Sequence, residues 1–322
     1  MSYVTKPTAI FGADIAKDEV MVQRHGESCP QRLRNTPKPL LAWLNQLPPD
    51  ALLVMEATNT YHELLATLAH GAGVQVVVLN PRRTWHYARS LGVRGKTDRV
   101  DTDTLTDFGA TQWSRLHRWQ PPTAGNARVA KLLRRRGKLV HAKVALAQSL
   151  SSVQELNPVR RQIERALARM IDRIDLLTIQ AVSQDAQLAP LHRLLQTIVG
   201  VGPILAAQLA QALTRMRWAN QDAFVAYTGL DPRPKDSGTR RGPRKLTKYG
   251  PPMLRHLLFM GAMSGIKTPL YKPMYRALLE RGLKTTQALV VVARRIARIA
   301  FAMFKTGAVF DSRRLSPASN NA

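Results

Sequence analysis

Acidic residues at the ends of two apolar segments are the first candidates for chemistry in this sequence. Asp14 follows the apolar stretch Thr8–Ala13, and Glu56 follows the apolar stretch Leu52–Met55. We predict that both segments are strands of an α/β sheet, in which ligands gather at the strand ends. Each acid taken singly also fits a turn or helix-capping residue.

A second pair of acids, Asp98 and Asp101, has a spacing that suits metal binding. We predict a helix over residues 98–110, and the i,i+3 spacing puts both carboxylates on one face of its first turn. Clustered carboxylates repel one another unless a cation lies among them, and hard oxygen ligands suit Mg²⁺. The alternative is that these acids only stabilise the helix dipole at the first turn.

A serine in a basic loop is the candidate nucleophile. Ser237 precedes Gly238 within a stretch dense in arginine and lysine, so its hydroxyl is expected to lie beside phosphate groups that these cations bind. A Ser-Gly pair in a loop also fits a simple turn. The basic residues that we predict to bind nucleic acid here are Arg240, Arg241, Arg244, Lys245 and Lys248.

Two further segments are candidates for nucleic-acid binding. Residues 126–185 are predicted to form an antiparallel, coiled-coil-like helical arm interrupted at Asn157-Pro158, with Arg134, Arg135 and Arg136 gripping nucleic acid. The alternative is a solvated face with i,i+4 salt bridges. Gly200 and Gly202 form a turn similar to a helix-hairpin-helix, whose amides can meet a phosphate. A purely structural turn between helices explains the same glycines equally well.

The charge distribution favours a polyanionic partner for most of the chain. The 322 residues carry a formal net charge of +27, with 12 Lys and Arg against 11 Asp and Glu up to Asp107, and 36 against 10 beyond it. Such an excess most plausibly neutralises nucleic-acid phosphates. A membrane-surface protein is the alternative, but no basic amphipathic anchor or lipidation signal supports it.

Hydropathy and cysteine content point to a folded protein of the cytoplasm. Hydrophobic residues make up 45% of the chain, yet no apolar run reaches the roughly 20 residues needed to cross a bilayer. The N-terminus lacks the features of a signal peptide. Cys29 is the single cysteine, so neither an intramolecular disulfide nor a CxxC metal site is expected.

The pattern of apolar residues along the sequence predicts an α/β part followed by a helical part. Short apolar runs alternate with helical patterns over the first ~110 residues, whereas long helical patterns dominate afterwards. The predicted domains are a catalytic domain (residues 1–115) and the helical arm (126–185). A mostly helical C-terminal domain (190–311) and a disordered tail (312–322) follow.

Taken together, these segments resemble the DEDD transposases of IS110-type bacterial insertion sequences, which include Piv-type DNA invertases and bridge-RNA-guided recombinases. The resemblance spans nearly the whole chain. It is carried by the motifs GADIAK, MEATNTY, LNP, KTDRVD, IVGVGP, FVAYTGLDP and DSGTRRG. Asn59 departs from the family pattern, which commonly has glycine there.

The resemblance implies a fold, a metal and a mechanism. It implies an RuvC-like, RNase H-type N-terminal domain in which Asp14, Glu56, Asp98 and Asp101 bind Mg²⁺ (or Mn²⁺). It also implies that Ser237, after the FVAYTGLDP segment, is the nucleophile, and that Lys96 in KTDRVD contacts nucleic acid.

The same resemblance implies particular partners. These are double-stranded donor and target DNA, a structured noncoding guide RNA, and further copies of the chain in a dimer or tetramer. The location that it implies is the bacterial cytosol, in association with the nucleoid. Two other hypotheses stay open. One is a metal-dependent nuclease or junction resolvase that uses water, and the other is a non-catalytic protein that binds nucleic acid.

Overall fold

The computed structural model describes most of the chain, namely residues 6–92, 98–233, 242 and 244–314. For three of these residues, Asp98, Arg99 and Arg314, only the backbone is described. The chain divides into two compact units, Met1–Pro121 and Pro122–Ala322. The helices of the predicted arm belong to the second unit.

The first unit is an α/β structure built on a five-stranded mixed sheet. Its elements are β1 (Ile10–Ile15), β2 (Glu19–Arg24), β3 (Gln31–Arg34), α1 (Pro37–Leu44), β4 (Leu52–Glu56), α2 (His62–Gly71), β5 (Gln75–Leu79), α3 (Pro81–Ser90) and α4 (Asp98–Gln112). The strand order is β3-β2-β1-β4-β5. The first three strands pair antiparallel, whereas β1, β4 and β5 run parallel. The predicted α/β class is confirmed for this part of the chain.

Alternating residues of the central strands face two different helical layers. The odd-numbered residues of β1 and β4 belong to a core shared with α1 and α2. The even-numbered residues belong to a core shared with α4, which contributes Leu105 and Phe108. Since side chains alternate along a strand, Asp14 and Glu56 project from the sheet on the α4 side.

The second unit is mostly helical, as its sequence predicts. Its elements are α5 (Ala124–Ser149), α6 (Asn157–Ser183), α7 (Leu188–Leu195), α8 (Pro203–Arg215), α9 (Gln221–Thr228), β6 (Pro232–Arg233), β7 (Lys245–Leu246), α10 (Pro252–Gly265), α11 (Lys272–Glu280) and α12 (Thr285–Thr306). Two of these helices, α8 and α12, are buried along much of their length and form the centre of its core.

Three details of the prediction need correction. The Asn157-Pro158 pair does not interrupt the helical arm, because it starts α6, where proline's missing amide is tolerated in the first turn. The turn lies earlier, between Ser149 and Asn157. Strand β3 was not predicted, since its residues are polar and mostly exposed. In the predicted disordered tail, Ser312–Arg314 form a short 3-10 helix, while residues 315–322 lie outside the described part.

One buried hydroxyl in the second unit lacks a partner. The Tyr271 side chain is 1% exposed, and its hydroxyl has no hydrogen-bond partner within the described part of the chain. Burial raises the pKa of Tyr271 to about 12, against a smaller opposing effect of Arg295. The folded state therefore holds this phenol in its neutral form.

We expect Tyr271→Phe to raise the free energy of unfolding at pH 7 by about 1 kcal/mol, because it removes an unsatisfied buried hydroxyl. The unfolded phenol ionises near pH 10 and the folded one near 12. Wild-type stability is thus fully present below pH 10 and falls as pH rises towards 12, and the variant lacks this component. Urea titrations at several pH values measure both effects. Equal curves for Tyr271→Phe and the control Tyr275→Phe would contradict the prediction.

Candidate active site

Two glycines let α4 lie directly on the sheet. A methyl group at Gly12 would come within 2.7 Å of the Thr102 carbonyl oxygen and 2.8 Å of the Thr106 amide nitrogen. A methyl group at Gly109 would come within 2.9 Å of Ile10 Cγ2. Because the later part of α4 meets the start of β1, the helix runs antiparallel to that strand. The first turn of α4 therefore lies towards the end of β1.

The predicted acids lie towards the same end of the sheet. The parallel register pairs Ala13 with Met55, so Asp14 and Glu56 are neighbours at the ends of β1 and β4. Both side chains are half-buried, as is Asp101 in the first turn of α4. Asp98 is the first residue of α4, one turn before Asp101. The fold thus directs all four predicted positions to one edge of the sheet.

This set of residues suits a hard divalent cation by its chemistry. Carboxylate oxygens are the ligands that Mg²⁺ and Mn²⁺ prefer. Among the side chains that the structure describes, no three His, Cys, Asp or Glu residues are gathered closely enough to hold a metal ion. Asp98 is not among them, because only its backbone is described.

A threonine of α3 holds the Glu56 carboxylate. The Thr84 hydroxyl lies within hydrogen-bond distance of Glu56 Oε2 and 2.9 Å from the Pro81 carbonyl oxygen. The Thr84 side chain is buried, and α3 is started by Asn80, whose side chain accepts a hydrogen bond from the Arg82 amide. Sequence reasoning missed Thr84, although the Asn-Pro pair does indicate where α3 begins.

A second contact fixes α3 against α4. The Tyr87 hydroxyl donates to Asp107 Oδ2 at 2.6 Å, and its ring packs edge-on against Phe108 with centroids 4.8 Å apart. Burial raises the pKa of Tyr87, and the hydrogen bond to Asp107 adds to this shift. Helix α3 is therefore held to Glu56 of the sheet and to the later part of α4.

In the chain, the predicted serine loop lies between the two strands of a short sheet in the second unit. Strands β6 and β7 pair Arg233 with Lys245. The Thr247 hydroxyl bonds Asp231 Oδ1, which closes the base of the loop. Ser237 and the basic residues Arg240 and Arg241 lie outside the described residues, as does Lys96 of the first unit.

Basic residues after the loop remain on the surface. Arg244, Lys245 and Lys248 are exposed. Lys248 has a φ of 55°, a left-handed conformation that L residues seldom adopt. Its backbone amide donates to the Gly229 carbonyl oxygen at 3.2 Å, so the surrounding contacts fix this turn. The backbone of Lys248 is thus held by the turn that follows the loop.

The arginines predicted on α5 differ in their surroundings. Arg134 and Arg135 are exposed. Arg136 instead makes two hydrogen bonds to the Asp175 carboxylate of α6, at 2.6 and 3.1 Å. Both side chains of this pair are largely buried. Arg136 therefore joins the two helices of the arm.

The two glycines of the predicted helix-hairpin-helix turn also differ. Gly200 has a φ of 85°, and a methyl group there would lie 2.5 Å from the Gly261 carbonyl oxygen of α10. Packing alone therefore explains Gly200. Gly202 caps α8, is exposed, and has nothing within 4 Å of an added methyl group. The amide end of α8 is open to solvent at this residue.

Comparison with known proteins agrees with this architecture. The model of the Transposase IS116/IS110/IS902 family matches residues 192–276, and the transposase model DEDD_Tnp_IS110 matches residues 11–157. Pilin gene-inverting proteins of Moraxella bovis and Moraxella lacunata are 28% and 27% identical over 269 residues, 81% of this chain and 82% of theirs. The insertion element IS900 uncharacterized 42 kDa protein of Mycobacterium paratuberculosis is 27% identical over 58% of this chain and 50% of its own.

The chain belongs to the IS110-type DEDD transposases, since the two matched ranges together span more than two thirds of it. It is a DNA transposase or recombinase, and DNA is its substrate. Membership of the DEDD family indicates the use of a divalent metal. Within the described part of the chain, no helix is long and apolar enough to cross a membrane.

We expect Gly200→Ala to destabilise the second unit by at least about 1 kcal/mol, because a side chain is strained at positive φ and would meet α10. Gly202→Ala is the matched control, since its added methyl group meets nothing. Thermal unfolding of both variants tests this. A Gly200→Ala protein as stable as Gly202→Ala would show that the turn yields without cost.

We expect Thr84→Val to weaken divalent-metal binding by about 10- to 100-fold, as the loss of an outer-shell partner commonly does. Thr84→Ser should restore binding because it returns the hydroxyl. Thr104→Val is a matched control: Thr104 is 6% exposed, like Thr84, and its hydroxyl donates to the Val100 carbonyl oxygen of its own helix. Calorimetric Mn²⁺ titration measures the affinities, and unchanged affinity in Thr84→Val would refute the role of Thr84.

Proposed function

We propose that this transposase cleaves and rejoins DNA with a carboxylate-held metal site and a serine nucleophile. The observation that carries the proposal is the placement of Asp14, Glu56 and the first turn of α4 at one edge of the sheet. The strand order β3-β2-β1-β4-β5, with β1 between antiparallel and parallel neighbours, supports an RNase H-type, RuvC-like first unit.

In this proposal Asp14, Glu56, Asp98 and Asp101 hold Mg²⁺, or Mn²⁺ in its place. Two such ions, when bound, would stabilise the attacking and leaving oxygens of a phosphoryl transfer. The described residues contribute by orientation, since Thr84 fixes the Glu56 carboxylate. Asp14, Glu56 and Asp101 are half-buried, which limits water around them and strengthens their electrostatic effect.

Ser237 is the proposed nucleophile. Its Oγ forms a bond to a DNA phosphorus while the bond from that phosphorus to one sugar oxygen breaks. The serine proton passes to a base, and the departing sugar oxygen takes up a proton to become a hydroxyl. The phosphoserine link conserves the energy of the phosphodiester bond, so the reverse attack reseals DNA without ATP. Proximity and alignment must compensate for the weak nucleophilicity of a neutral serine.

The exposed cations of the second unit are the proposed nucleic-acid contacts. Arg134 and Arg135 on α5, the Gly202 end of α8, and the basic residues around β7 are accessible for phosphates. The family resemblance adds a structured guide RNA and a dimer or tetramer, in which one copy's acids work with another copy's Ser237. The reaction then takes place at the nucleoid in the bacterial cytosol.

Two names among the relatives support inversion or transposition over simple cutting. The Moraxella proteins are named for inverting a pilin gene, and the mycobacterial relative is named for an insertion element. The alternative is a nuclease with the same acids and water as nucleophile. That enzyme would leave protein-free ends, whereas the recombinase retains a covalent link until resealing.

We expect wild-type protein with Mg²⁺ and a suicide DNA substrate to yield, after proteolysis, a peptide with Ser237 bonded to a DNA phosphate. Ser237→Ala should bind the DNA and form no adduct. Asp14→Ala and Glu56→Ala should also fail to form the adduct. Asp103 is an exposed acid of α4, and Asp103→Ala is the matched control that should form it. Normal cutting by Ser237→Ala with protein-free ends would establish the nuclease, and cutting at the wild-type rate in EDTA would exclude the metal site.

A further inference from the structure

Helix α3 has one face towards the protein and one towards solvent. Its inner face is held by Thr84 and Tyr87, which bond Glu56 and Asp107. Its outer face combines three residues at i, i+3 and i+7 spacing, namely Arg82, Trp85 and Arg89, and His86 lies beside them. This outer face contains no acid, although the first third of the chain is nearly neutral.

Trp85 is unusual on this face. Its side chain is 53% exposed, whereas tryptophan is generally largely buried. The Arg89 guanidinium lies over the indole ring, 5.0 Å from the centroid. The His86 ring contacts it edge-on, with centroids 4.8 Å apart. These two neighbours restrict the indole while leaving half of it open to solvent.

We propose that Trp85 is a stacking platform for an unpaired base of the DNA strand bound at the acidic edge. This inference deepens the proposed function and rests on it for the identity of the DNA. Nucleic-acid bases stack on exposed aromatic rings, and nearby arginines add cation–π and phosphate contacts. The outer face of α3 supplies both.

Position favours DNA at the reacting site over a remote ligand. Trp85 directly follows Thr84, whose hydroxyl bonds Glu56, and consecutive Cα atoms lie about 3.8 Å apart. A helix with its side chains is only about 10 Å across, so a strand that passes around α3 from a phosphate at Glu56 brings a nearby nucleotide to the indole. Strand breakage and exchange expose unpaired bases at this same point of the DNA.

The platform is also held rigidly. The Thr84–Glu56 and Tyr87–Asp107 contacts fix α3 on two sides, and Arg83 adds a guanidinium 5.1 Å above the Phe108 ring. A ring on a fixed helix loses little freedom when a base stacks on it, which favours affinity. The same geometry would set the position of the neighbouring phosphate relative to Glu56.

The test uses a gapped duplex with unpaired bases, one of them 2-aminopurine, whose fluorescence falls on stacking. Binding is measured in Ca²⁺ with Asp14→Ala protein, so that no cleavage interferes. We expect Trp85→Ala to weaken binding of gapped DNA by about 5- to 150-fold and to abolish the quenching, with fully paired DNA unaffected. Arg89→Gln should cost roughly 2- to 5-fold.

Controls separate stacking from charge and from general surface damage. Trp85→Phe should retain part of the affinity, because a smaller ring still stacks. The slope of log K against log salt should be unchanged in Trp85→Ala, since no cation is removed. Leu41→Ala removes an exposed apolar side chain from α1 and should bind gapped DNA like the parent protein.

The outcomes distinguish this inference from the proposed function. Photocrosslinking of 5-iododeoxyuridine in the gap should label the peptide that contains Trp85. Wild-type affinity and quenching in Trp85→Ala would overturn the platform, as would Trp85-dependent binding of RNA but not of DNA. A protein that quenches and crosslinks at Trp85 yet never cleaves DNA would instead overturn the proposed function and leave the base-stacking site in place.

Discussion

The close approach of α4 to β1 is the constraint on which the acidic edge depends. Gly12 and Gly109 remove the side chains that would keep the helix away, and backbone atoms of Thr102 and Thr106 lie against the strand as a result. A helix rises about 1.5 Å per residue, so Asp101 is only a few ångströms beyond this contact. A methyl group at either glycine would push α4 away from β1. The two acids of α4 would then move as a pair away from the acids of the strands.

The half-buried Glu56 carboxylate is oriented by a neighbouring donor, which α3 supplies. The Thr84 hydroxyl satisfies one oxygen of Glu56, and the Tyr87–Asp107 bond ties α3 to α4. Both donors are neutral. A neutral donor orients a carboxylate without cancelling its charge, whereas a paired arginine would compete with a cation for the same oxygens. In the arm, by contrast, the Asp175 carboxylate is paired with Arg136, and this charged pair joins two helices.

The main strands and the acidic positions could be predicted because apolar runs and strand ends are local signals. β1, β4 and β5 each contain a buried apolar run, and Asp14 and Glu56 come directly after the apolar runs of β1 and β4. The polar strand β3 gave no such signal, since its pairing with β2 and not its own hydropathy defines it. Asn59 has a φ of 48°, which explains why the family commonly has glycine there. Asn59 lies in the turn after β4, and its left-handed backbone conformation could not be predicted from its side chain alone.

Contacts between distant residues could not be predicted from one sequence. Thr84 and Glu56 are 28 residues apart, and Gly12 meets Thr106 across 94. The spacing of residues on α3 does predict that Thr84 and Tyr87 share a face, but it cannot say which partners they meet. Once the sheet fixes those partners, the outward direction of Trp85 follows from the helical period alone. The contacts that Thr84 and Tyr87 make therefore also determine which face of α3 is open to solvent.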